Sequence, residues 1–482
     1  MTSSYRNLEH DRLSRQVTES DIEHINTVFE SIRSRFTSLE RRRPFVIEFA
    51  GIPKAGKSGV RNAIAHLAMK CQFRVLYPEE GASRPSQRAL REDLTAFNAW
   101  TGMYALQNLL RACIPTNQYD LVMLDRGIFD AVCWMEMLRQ ENYIDEISAT
   151  AAKAFFSLRE WTRLLDLVVI FDCDDKTALM RETSSALAIS RLERTMPLLA
   201  PLRRVYNNRE ILRSFENSGT AFLLVDTSGI KTTKKAVAMT IAEEIGMLLE
   251  DALDPRYVIL PKNCIDFSGF VPETKVPLSK WQSAVEVEKK SMAETDTSAK
   301  QLVSYGFIEI KNTFLRLHRT GHANRPELKS RLSIGVGGHV EEKDLLLNET
   351  LENTLKKCLM RELEEELLMD EEPEVELCGF INDESNEAGK YHIAAVHRVR
   401  LRTGTLRVRQ GVSDQEFGEG SWALVPKEKL AKEIERFDPW SQHIIHHCLD
   451  GPVPQLSKQQ ILSFKDQHSS KGKKRCQDEL FE

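Results

Sequence analysis

The sequence predicts an α/β protein in two parts, a parallel β-sheet covered by helices and then an α+β region. Three observations support this prediction. Short, nearly continuous apolar runs alternate with helical segments in the first half, as in parallel sheets that are buried on both faces. A glycine-rich loop follows the first of these runs. In the second half, strand patterns with few helices accompany one strongly acidic helix, which fits an α+β layout.

Length and composition indicate a globular protein with more than one domain. At 482 residues the chain is too long for one ordinary core, and 41% hydrophobic and 28% charged residues are typical of folded domains. The net charge of −5 gives no general field for duplex nucleic acid, although a local basic groove is compatible with it. The chain shows no apolar signal segment, no bilayer-length apolar run and no C-x-x-C pair. We therefore expect a cytoplasmic protein with reduced thiols and no membrane partner.

Changes of pattern along the chain predict four segments. Residues 1–17 are expected to fray, and a capping box starting at Ser20 opens an amphipathic helix that ends before Pro44. The sequence Asp254-Pro255 marks a boundary after the last helix of the alternating region. The segments, in order, are an N-terminal helical extension (1–43), the α/β domain (44–254), the α+β domain (255–450) and a flexible tail (451–482).

Each domain has its own set of predicted strands. Those of the first domain are residues 45–50, 74–77, 119–125, 166–172 and 221–226. Those of the second domain are residues 256–261, 306–310, 314–319, 392–401 and 420–426.

The loop after the first predicted strand has the form G-x-x-x-x-G-K-S and precedes a helical run. Its glycines let backbone N–H groups turn towards phosphates at the positive end of the helix dipole. Lys57 would supply a charge to the outer phosphates, and the Ser58 hydroxyl could ligate Mg²⁺. The sequence therefore predicts ATP or GTP binding through Gly51, Ala55, Gly56, Lys57 and Ser58. The loop alone does not distinguish a kinase from a GTPase or a motor.

Beyond this loop, residues 45 to 250 resemble the P-loop nucleoside and nucleotide monophosphate kinases, thymidylate-kinase-like members in particular. The run LVMLDRG ends a buried strand in Asp125-Arg126, where kinases of this group carry an acidic residue and an arginine. The resemblance implies that Asp125 holds Mg²⁺ through water or orients the acceptor. It also implies that Arg126 contacts phosphate or hydroxyl groups of the acceptor. A salt bridge at the strand end is the alternative interpretation.

Two further segments match places where these kinases act on the acceptor and on the transferred phosphate. In YPEEGASRP, Glu79 or Glu80 would be a base facing the acceptor. In ALMRETSSALAISRLERT, the resemblance implies a lid whose arginines, Arg181, Arg191 and Arg194, clamp the phosphoryl group. The spacing of the last two places them on one helical face. A charged helix surface is the alternative, and the sequence does not identify the acceptor.

The acidic helix of the second domain contains RELEEELL, residues 361–368, and predicts a metal site. An apolar stripe from Leu351 to Leu363 would be buried. Glu362, Glu365 and Glu366 are spaced i, i+3, i+4 and share a different face. Three neighbouring carboxylates repel one another unless a cation lies among them, and hard oxygen ligands suit Mg²⁺ or Mn²⁺.

Together with the upstream run SIGVGGHV, this helix resembles the Nudix box in its divergent GGH form. The resemblance spans residues 256–449 and implies a Nudix fold, an α/β/α sandwich. It implies that Glu362, Glu365 and Glu366 are the metal ligands and that Glu365 is catalytic. Such ions bridge a diphosphate and activate a water for attack at phosphorus. Gly337 and Gly338 would line the nucleotide site, and Arg361 would hold a glutamate by a bidentate pair.

The Nudix resemblance has two substituted positions and one longer interval. Leu368 stands where glycine is usual, and Asn353 stands where the first glutamate is expected. The interval from Gly338 to Arg361 is longer than the usual pattern. His339 either contacts phosphate or caps a turn. The acids that could replace the missing carboxylate or act from a distance are Glu341 or Glu342 and Glu416 or Glu419.

The combined prediction is a bifunctional enzyme of nucleotide metabolism. Its first domain would use ATP as co-substrate to phosphorylate a nucleoside-like or nucleotide-like acceptor. Its second domain would hydrolyse a nucleoside diphosphate derivative with Mg²⁺ or Mn²⁺. The expected partners are nucleotides and nucleotide-derived small molecules. The alternatives are a regulatory protein that binds nucleotides without turnover and a polynucleotide end kinase.

Overall fold

The computed structural model divides the chain into two compact units, residues 1–255 and 256–482. The side chains of Arg191 and Arg194, the acids Glu416 and Glu419, and the predicted tail lie outside the described residues. The described residues are 5–36, 43–83, 90, 92–114, 119–183, 189–229, 232–318, 331–345, 349–402, 405–408 and 422–449, with only the backbone of 189–195.

A six-stranded, wholly parallel sheet forms the centre of the first unit. Its strands are β1 Tyr5–Asn7, β2 Phe45–Gly51, β3 Val75–Leu76, β4 Leu121–Asp125, β5 Leu167–Asp172 and β6 Ala221–Asp226. They lie in the order β1-β6-β5-β2-β4-β3. The long apolar runs form buried strands because both faces of the sheet are covered by helices. The predicted α/β class is confirmed.

The helices of the first unit pack their apolar faces against this sheet. Several begin at side chains that accept a backbone N–H, such as Asp93, Asp145 and Thr233. No helix among the described residues is both long and apolar enough to cross a membrane. The helices are α1 His10–Ser14, α2 Glu19–Phe36, α3 Lys57–Lys70, α4 Leu94–Ala112, α5 Ile128–Gln140, α6 Glu146–Phe156, α7 Arg159–Thr162, α8 Asp175–Thr183, α9 Ile189–Tyr206, α10 Arg209–Glu216 and α11 Lys234–Leu253.

The expectation that residues 1–17 fray is wrong for the part that the structure describes. Strand β1 pairs in parallel with β6 at the edge of the sheet. Leu13 of α1 is fully buried, and Arg12 donates to the buried carboxylate of Glu244. A strand of three residues carries no periodic signal, and its partner is distant in sequence, so the pattern could not reveal this pairing.

The second unit contains a ten-stranded mixed sheet and one separate strand pair. The central strand β10 pairs in parallel with β16 and antiparallel with its other neighbours, which confirms the α+β class. The strands are β7 Arg256–Pro261, β8 Gly269–Pro272, β9 Glu286–Lys289, β10 Ala299–Ile310, β11 Thr313–His318, β12 Leu332–Ser333, β13 Gly335–His339, β14 Leu367–Met369, β15 Glu374–Asn382, β16 His392–Leu401, β17 Leu406–Val408 and β18 Trp422–Pro426. Strands β14 and β17 form the separate pair.

The helices of the second unit lie beside this sheet. They are α12 Leu278–Ala284, α13 Lys290–Ala293, α14 Leu351–Glu366, α15 Glu387–Tyr391, α16 Lys427–Lys432 and α17 Pro439–His447. The predicted apolar stripe of α14, from Leu351 to Leu363, is buried. Its opposite face carries the acidic side chains, so the burial of the stripe fixes which way the acids point.

Candidate functional site

The phosphate loop, residues 51–58, connects the end of β2 to the start of α3. Gly51 has φ +121°, and a Cβ there would lie 2.1 Å from the carbonyl oxygen of Phe171 in the neighbouring strand. Gly56 has φ +97° and directly precedes α3. Both positions therefore require glycine, the first because of backbone proximity and conformation, the second because of conformation alone. The first turn of α3 offers its N–H groups at the mouth of this loop.

Lys57 is buried inside the loop. Its Nζ donates to the carbonyl oxygens of Gly51 at 2.9 Å and Ile52 at 2.7 Å. Burial, followed by the positive charge of Arg126, lowers the pKa of Lys57 to about 8. The carboxylates of Asp130, Asp125 and Glu80 act in the opposite direction. Four charged side chains around the loop therefore influence the pKa of Lys57, whereas Ser58 is exposed.

Arg126 follows the last residue of β4 and contacts two acids beside the loop. Its backbone has φ +63°, an uncommon conformation for a residue with a side chain. Its Nε lies 2.7 Å from Glu80, and its Nη1 donates to both oxygens of Asp130 at 3.0 and 2.8 Å. Glu80 rather than Glu79 meets the arginine, and Glu79 is exposed. Of the two acids that the sequence offered as a base, Glu80 is the one brought to the loop.

Asp125 is a buried carboxylate at the carboxyl end of β4. Its Oδ2 lies 3.8 Å from Nη1 of Arg61, while Oδ1 has no hydrogen-bond partner among the described residues. Buried polar atoms are nearly always paired with protein, water or an ion. The orphaned oxygen therefore fits a water-held Mg²⁺, the role that the kinase resemblance implies for this residue.

The predicted lid arginines occupy two different helices. Arg181 of α8 donates to the carbonyl oxygen of Lys54 at 3.3 Å and to Thr227 Oγ1 at 2.9 Å. Its guanidinium thus braces the phosphate loop. Positions 191 and 194 fall within α9, and their side chains are outside the described residues. The structure therefore brings Arg181 to the loop and leaves the clamping role of the other two as a prediction.

Two acids of this site were not identified from the sequence. Glu48 is a buried carboxylate in the middle of β2, and Asp130 lies in the first turn of α5. Both carried a readable signal. Glu48 interrupts the apolar run FVIEFA, and Asp130 is spaced i+4 from Arg126. We call these two acids, with the loop, Glu80, Asp125 and Arg126, the phosphate-loop centre.

In the second unit, Arg361 of α14 is surrounded by acids. Its Nε and Nη2 contact the two oxygens of buried Asp344 at 3.2 and 2.9 Å. Its Nη1 donates to Glu362 at 2.5 Å and lies 3.7 Å from Glu365 and 3.8 Å from Glu341. The expected bidentate pair is present, but its partner is an aspartate of the preceding loop. These five residues form what we call the acidic-helix centre.

Gly338 permits the approach of Glu362 to strand β13. A Cβ at this position would lie 2.3 Å from the carboxyl carbon of Glu362. A Cβ at Gly337 would lie 2.1 Å from the carbonyl oxygen of Ser304 in β10. Both glycines lie within a strand, so here the missing side chain, and not a special backbone angle, is what the fold requires. Burial raises the pKa of Glu362 to about 7, with Arg361 opposing and Glu365 adding to the shift.

The predicted metal ligands are only partly brought together. Glu362 is 14% exposed and Glu365 is 54% exposed, and both face Arg361. Glu366 is the last residue of α14 and is partly buried. Among the described residues, no group of three or more His, Cys, Asp or Glu is arranged to hold a metal ion. The donors suit a hard cation in kind, since Glu341, Glu362 and Glu365 converge within 4 Å of one nitrogen atom.

The departures from the Nudix pattern have structural explanations. Asn353 is exposed in the first turn of α14 and donates to Glu349, at the opposite end of the helix from Arg361. Glu341 supplies a carboxylate beside Arg361 instead, as the sequence had allowed. Leu368 is the second residue of β14, which follows α14, and pairs with Arg407. No left-handed residue is needed there, because the helix ends in extended backbone at Leu367.

Several described histidines of this unit contact other aromatic rings. The ring of His339 stacks on Tyr257 at 4.3 Å, and its Nε2 lies 3.0 Å from Nε2 of His392. In α17, His447 stacks on Phe270. The prediction that the HIIHH segment packs on the sheet is confirmed, since Ile444 and Ile445 of the same helix are buried.

Comparison with known proteins gives partial likenesses. No protein-family profile matches the chain. It is 28% identical over 196 residues to Protein YmaB of Bacillus subtilis (strain 168), covering 40% of this chain and 93% of that protein. The solved structure of Tm1382, assigned as a Nudix hydrolase, is 24% identical with a TM-score of 0.34, covering 40% of this chain and 98% of its own. A deoxyadenosine kinase from M. mycoides with bound dCTP is 18% identical with a TM-score of 0.32, covering 42% and 100%.

Proposed function

We propose that the protein is a bifunctional nucleotide-metabolising enzyme, a kinase in its first unit and a metal-dependent Nudix-type hydrolase in its second. The kinase half rests on one observation: the ion pair of Arg126 with Glu80 is joined through Asp130 to Gly51, whose carbonyl oxygen accepts from the buried ammonium group of Lys57. A binding loop alone would need the lysine and the glycines. An additional acid–arginine pair at the same place supplies the groups that phosphoryl transfer to an acceptor requires.

The roles of the kinase residues follow from their positions. The N–H groups of the loop and Lys57 would hold the phosphates of ATP and neutralise charge on the transferred group. Glu80, oriented by Arg126, would accept the proton of the acceptor hydroxyl as that oxygen attacks phosphorus. Ser58 and Asp125 would hold Mg²⁺, which supplies charge neutralisation between the phosphates when bound.

The kinase half is tested by measuring acceptor-dependent ADP formation by the full chain. The panel contains nucleosides, nucleoside monophosphates and a single-stranded oligonucleotide, so that a polynucleotide end kinase is also detected. We expect turnover with at least one small acceptor and a loss of that turnover in Glu80→Gln. Nucleotide binding without ADP formation from any acceptor contradicts the kinase.

The hydrolase half rests on the crowding of Glu341, Glu362 and Glu365 around Arg361. We propose that these carboxylates hold Mg²⁺ or Mn²⁺ against the diphosphate of a nucleotide derivative. Bound metal would supply charge neutralisation and an activated water. Arg361 and Asp344 would keep Glu362 in place. Metal-dependent release of phosphate or a nucleoside monophosphate from a panel of nucleoside diphosphate derivatives tests this half.

A second candidate for this unit is a nucleotide-binding module without turnover. It is favoured by the position of Nη1 of Arg361, which already neutralises the acids that would otherwise bind the metal. Ligand binding that is independent of divalent cations, with no product from any member of the panel, would establish this alternative.

A further inference from the structure

One buried carboxylate joins three parts of the first unit. Asp130 is 3% exposed. Its oxygens accept from Nη1 of Arg126 at 3.0 and 2.8 Å and from the hydroxyl of Tyr206 at 2.5 Å. The N–H of Gly51 points to the same carboxylate at 3.4 Å. Asp130 therefore contacts the first glycine of the phosphate loop, the arginine that meets Glu80, and the end of α9.

Contacts with Glu48 of β2 fix the position of Asp130. Its backbone N–H donates to Glu48 at 2.7 Å, and the next N–H back along the helix, that of Phe129, donates to the same carboxyl group at 3.1 Å. Glu48 thus caps the first turn of α5 from the middle of β2. Gly127 permits this contact, because a Cβ there would lie 2.1 Å from Oε2 of Glu48. The sheet therefore determines where the Asp130 side chain begins.

Tyr206 carries the connection to α9. It is the last residue of that helix, is 2% exposed, and packs its ring against Phe129. Pro197 and Pro201 lie inside the same helix. A proline inside a helix removes a backbone hydrogen bond and bends the axis. The tether at Tyr206 therefore fixes the C-terminal end of α9, while the segment with positions 191 and 194 lies beyond both prolines.

We infer that Asp130 is a positioning residue of the proposed kinase. Its single carboxylate holds Arg126, the phosphate loop and the C-terminal end of α9 in fixed positions relative to one another. The inference rests on the proposed function for its catalytic consequence. Asp130 does not touch the reacting groups in this role. It holds Arg126 in its left-handed backbone conformation with Nε turned to Glu80, so loss of its charge would displace Arg126 and, through it, Glu80.

The test compares two buried acids of the same helix. Asp130→Asn removes the charge but keeps the shape. The matched control is Glu136→Gln, because Glu136 is also on α5, is 5% exposed and is bonded to Arg139 and Lys153 away from the loop. We expect Asp130→Asn to lower kcat about 10- to 100-fold with the KM for ATP changed less than about threefold, and Tyr206→Phe to do so more weakly. Glu136→Gln should keep kcat even if it lowers Tm.

A second readout does not depend on activity. Backbone hydrogen exchange should accelerate at the C-terminal end of α9 and in residues 51–58 of Asp130→Asn and Tyr206→Phe, but not of Glu136→Gln. Unchanged kcat and unchanged exchange in folded Asp130→Asn would overturn the inference, and so would equal loss in both acid variants. If Asp130→Asn does not fold, Tyr206→Phe decides by the same two measurements. Faster exchange in these two variants, together with a wild type that phosphorylates no acceptor, would instead contradict the proposed kinase and leave the positioning role of Asp130 intact.

Discussion

Two arginines, Arg126 and Arg361, form the centres of the two proposed phosphate sites, and their surroundings differ in charge. Arg126 meets Asp130 and Glu80 beside the buried ammonium group of Lys57 and the N–H groups of a glycine loop. Arg361 meets four acids, one of which, Glu341, also pairs with the exposed Lys343. The first centre also contains the acids Asp125 and Glu48, but its buried lysine and its loop N–H groups can bind an anion directly. The second centre consists of one arginine and four acids.

Under the proposed function, this difference corresponds to two ways of binding phosphate. Fixed cations and backbone dipoles need no ion to bind a phosphate, although phosphoryl transfer uses one. A carboxylate cluster repels phosphate until a divalent cation intervenes. Each centre keeps one glutamate protonated more readily than in water, with a pKa of about 8 for Glu48 and about 7 for Glu362. The comparison predicts different responses to charge removal in the two units.

The largest expected effect is the loss of ADP formation when the phosphate-loop centre is changed. Lys57→Ala should lower ADP formation at least about 100-fold, because the buried cation opposite the transferred phosphate is lost. The hydrolytic activity of the second unit should be unchanged. The control is Lys70→Ala, at the exposed far end of the same helix. Near-normal ADP formation by Lys57→Ala would show that the loop does not bind the reacting phosphates.

The corresponding substitution in the acidic-helix centre is Glu365→Gln or Glu362→Gln. Metal-dependent product release should fall about 100-fold in each, because one charged oxygen ligand is replaced by a neutral amide. ADP formation should persist. Glu352→Gln, an exposed acid in the first turn of α14, is the control and should behave as wild type. Hydrolysis that survives both substitutions would place the chemistry elsewhere.

Gly338→Ala tests the acidic-helix centre by steric crowding rather than by removal of charge. The added methyl group would lie 2.3 Å from the carboxyl carbon of Glu362, so this side chain must move. We expect hydrolysis to fall about tenfold or more, while the free energy of unfolding drops by at most about 1 kcal/mol because the contact is with the flexible end of the Glu362 side chain. Chemical denaturation and product release measure the two effects. Retention of both would mean that Glu362 is not held as the structure shows.

Two buried acids of the first unit, Glu48 and Glu136, should affect the pH dependence of folding in opposite directions. Burial and the charge of Asp130 raise the pKa of Glu48 to about 8, so the folded protein keeps a proton that the unfolded chain releases above about 4.5. The stabilising contribution is complete below pH 4.5 and is lost as pH rises to about 8. Wild type should therefore lose up to about 1.4 kcal/mol per pH unit relative to Glu48→Gln across this window.

The control for the pH measurement is an acid with the opposite shift. Hydrogen bonds from Arg139 and Lys153 outweigh burial and lower the pKa of Glu136 to about 2. Its contribution is present above the unfolded pKa and is lost as pH falls towards 2, so Glu136→Gln should approach wild type in acid. Denaturation curves from pH 5 to 8 that are parallel for wild type and Glu48→Gln would contradict the buried, protonated state of Glu48.

The smallest expected effect concerns the departure at Leu368. Because Leu368 is 39% exposed in a short strand, Leu368→Gly should cost less than about 1 kcal/mol and leave hydrolysis unchanged. A gain in hydrolysis on restoring glycine would show that this position limits the activity of the second unit. Thermal unfolding and product release measure the two quantities.

Local pattern was enough to predict much of both centres. The alternating apolar runs identified β2, β4, β5 and β6, and the glycine spacing identified the phosphate loop, because each signal lies within a few consecutive residues. The helical spacing of α14 likewise separated the buried stripe from the acidic face. These features depend on neighbours in sequence, and the structure places them as expected.

The remaining contacts depend on which distant segments the fold brings together. Sequence spacing offered Glu79 and Glu80 equally, and only the packing of the loop after β3 against Arg126 selects Glu80. The partnership of Arg361 with Asp344 and Glu341 crosses a loop of unusual length. Tyr206 reaches Asp130 from a helix 76 residues further along the chain. No periodicity links such pairs, so their partners could not be read from the chain.

The contrast between the two centres is tested most directly by measuring, with electron paramagnetic resonance, how the full chain binds Mn²⁺ in the absence of nucleotide. We expect one Mn²⁺ that binds without nucleotide, is lost in Glu362→Gln and is kept in Lys57→Ala. Added ATP should recruit further Mn²⁺ only while Lys57 is present. No nucleotide-independent Mn²⁺, or identical binding by wild type and Glu362→Gln, would contradict the account of the acidic-helix centre.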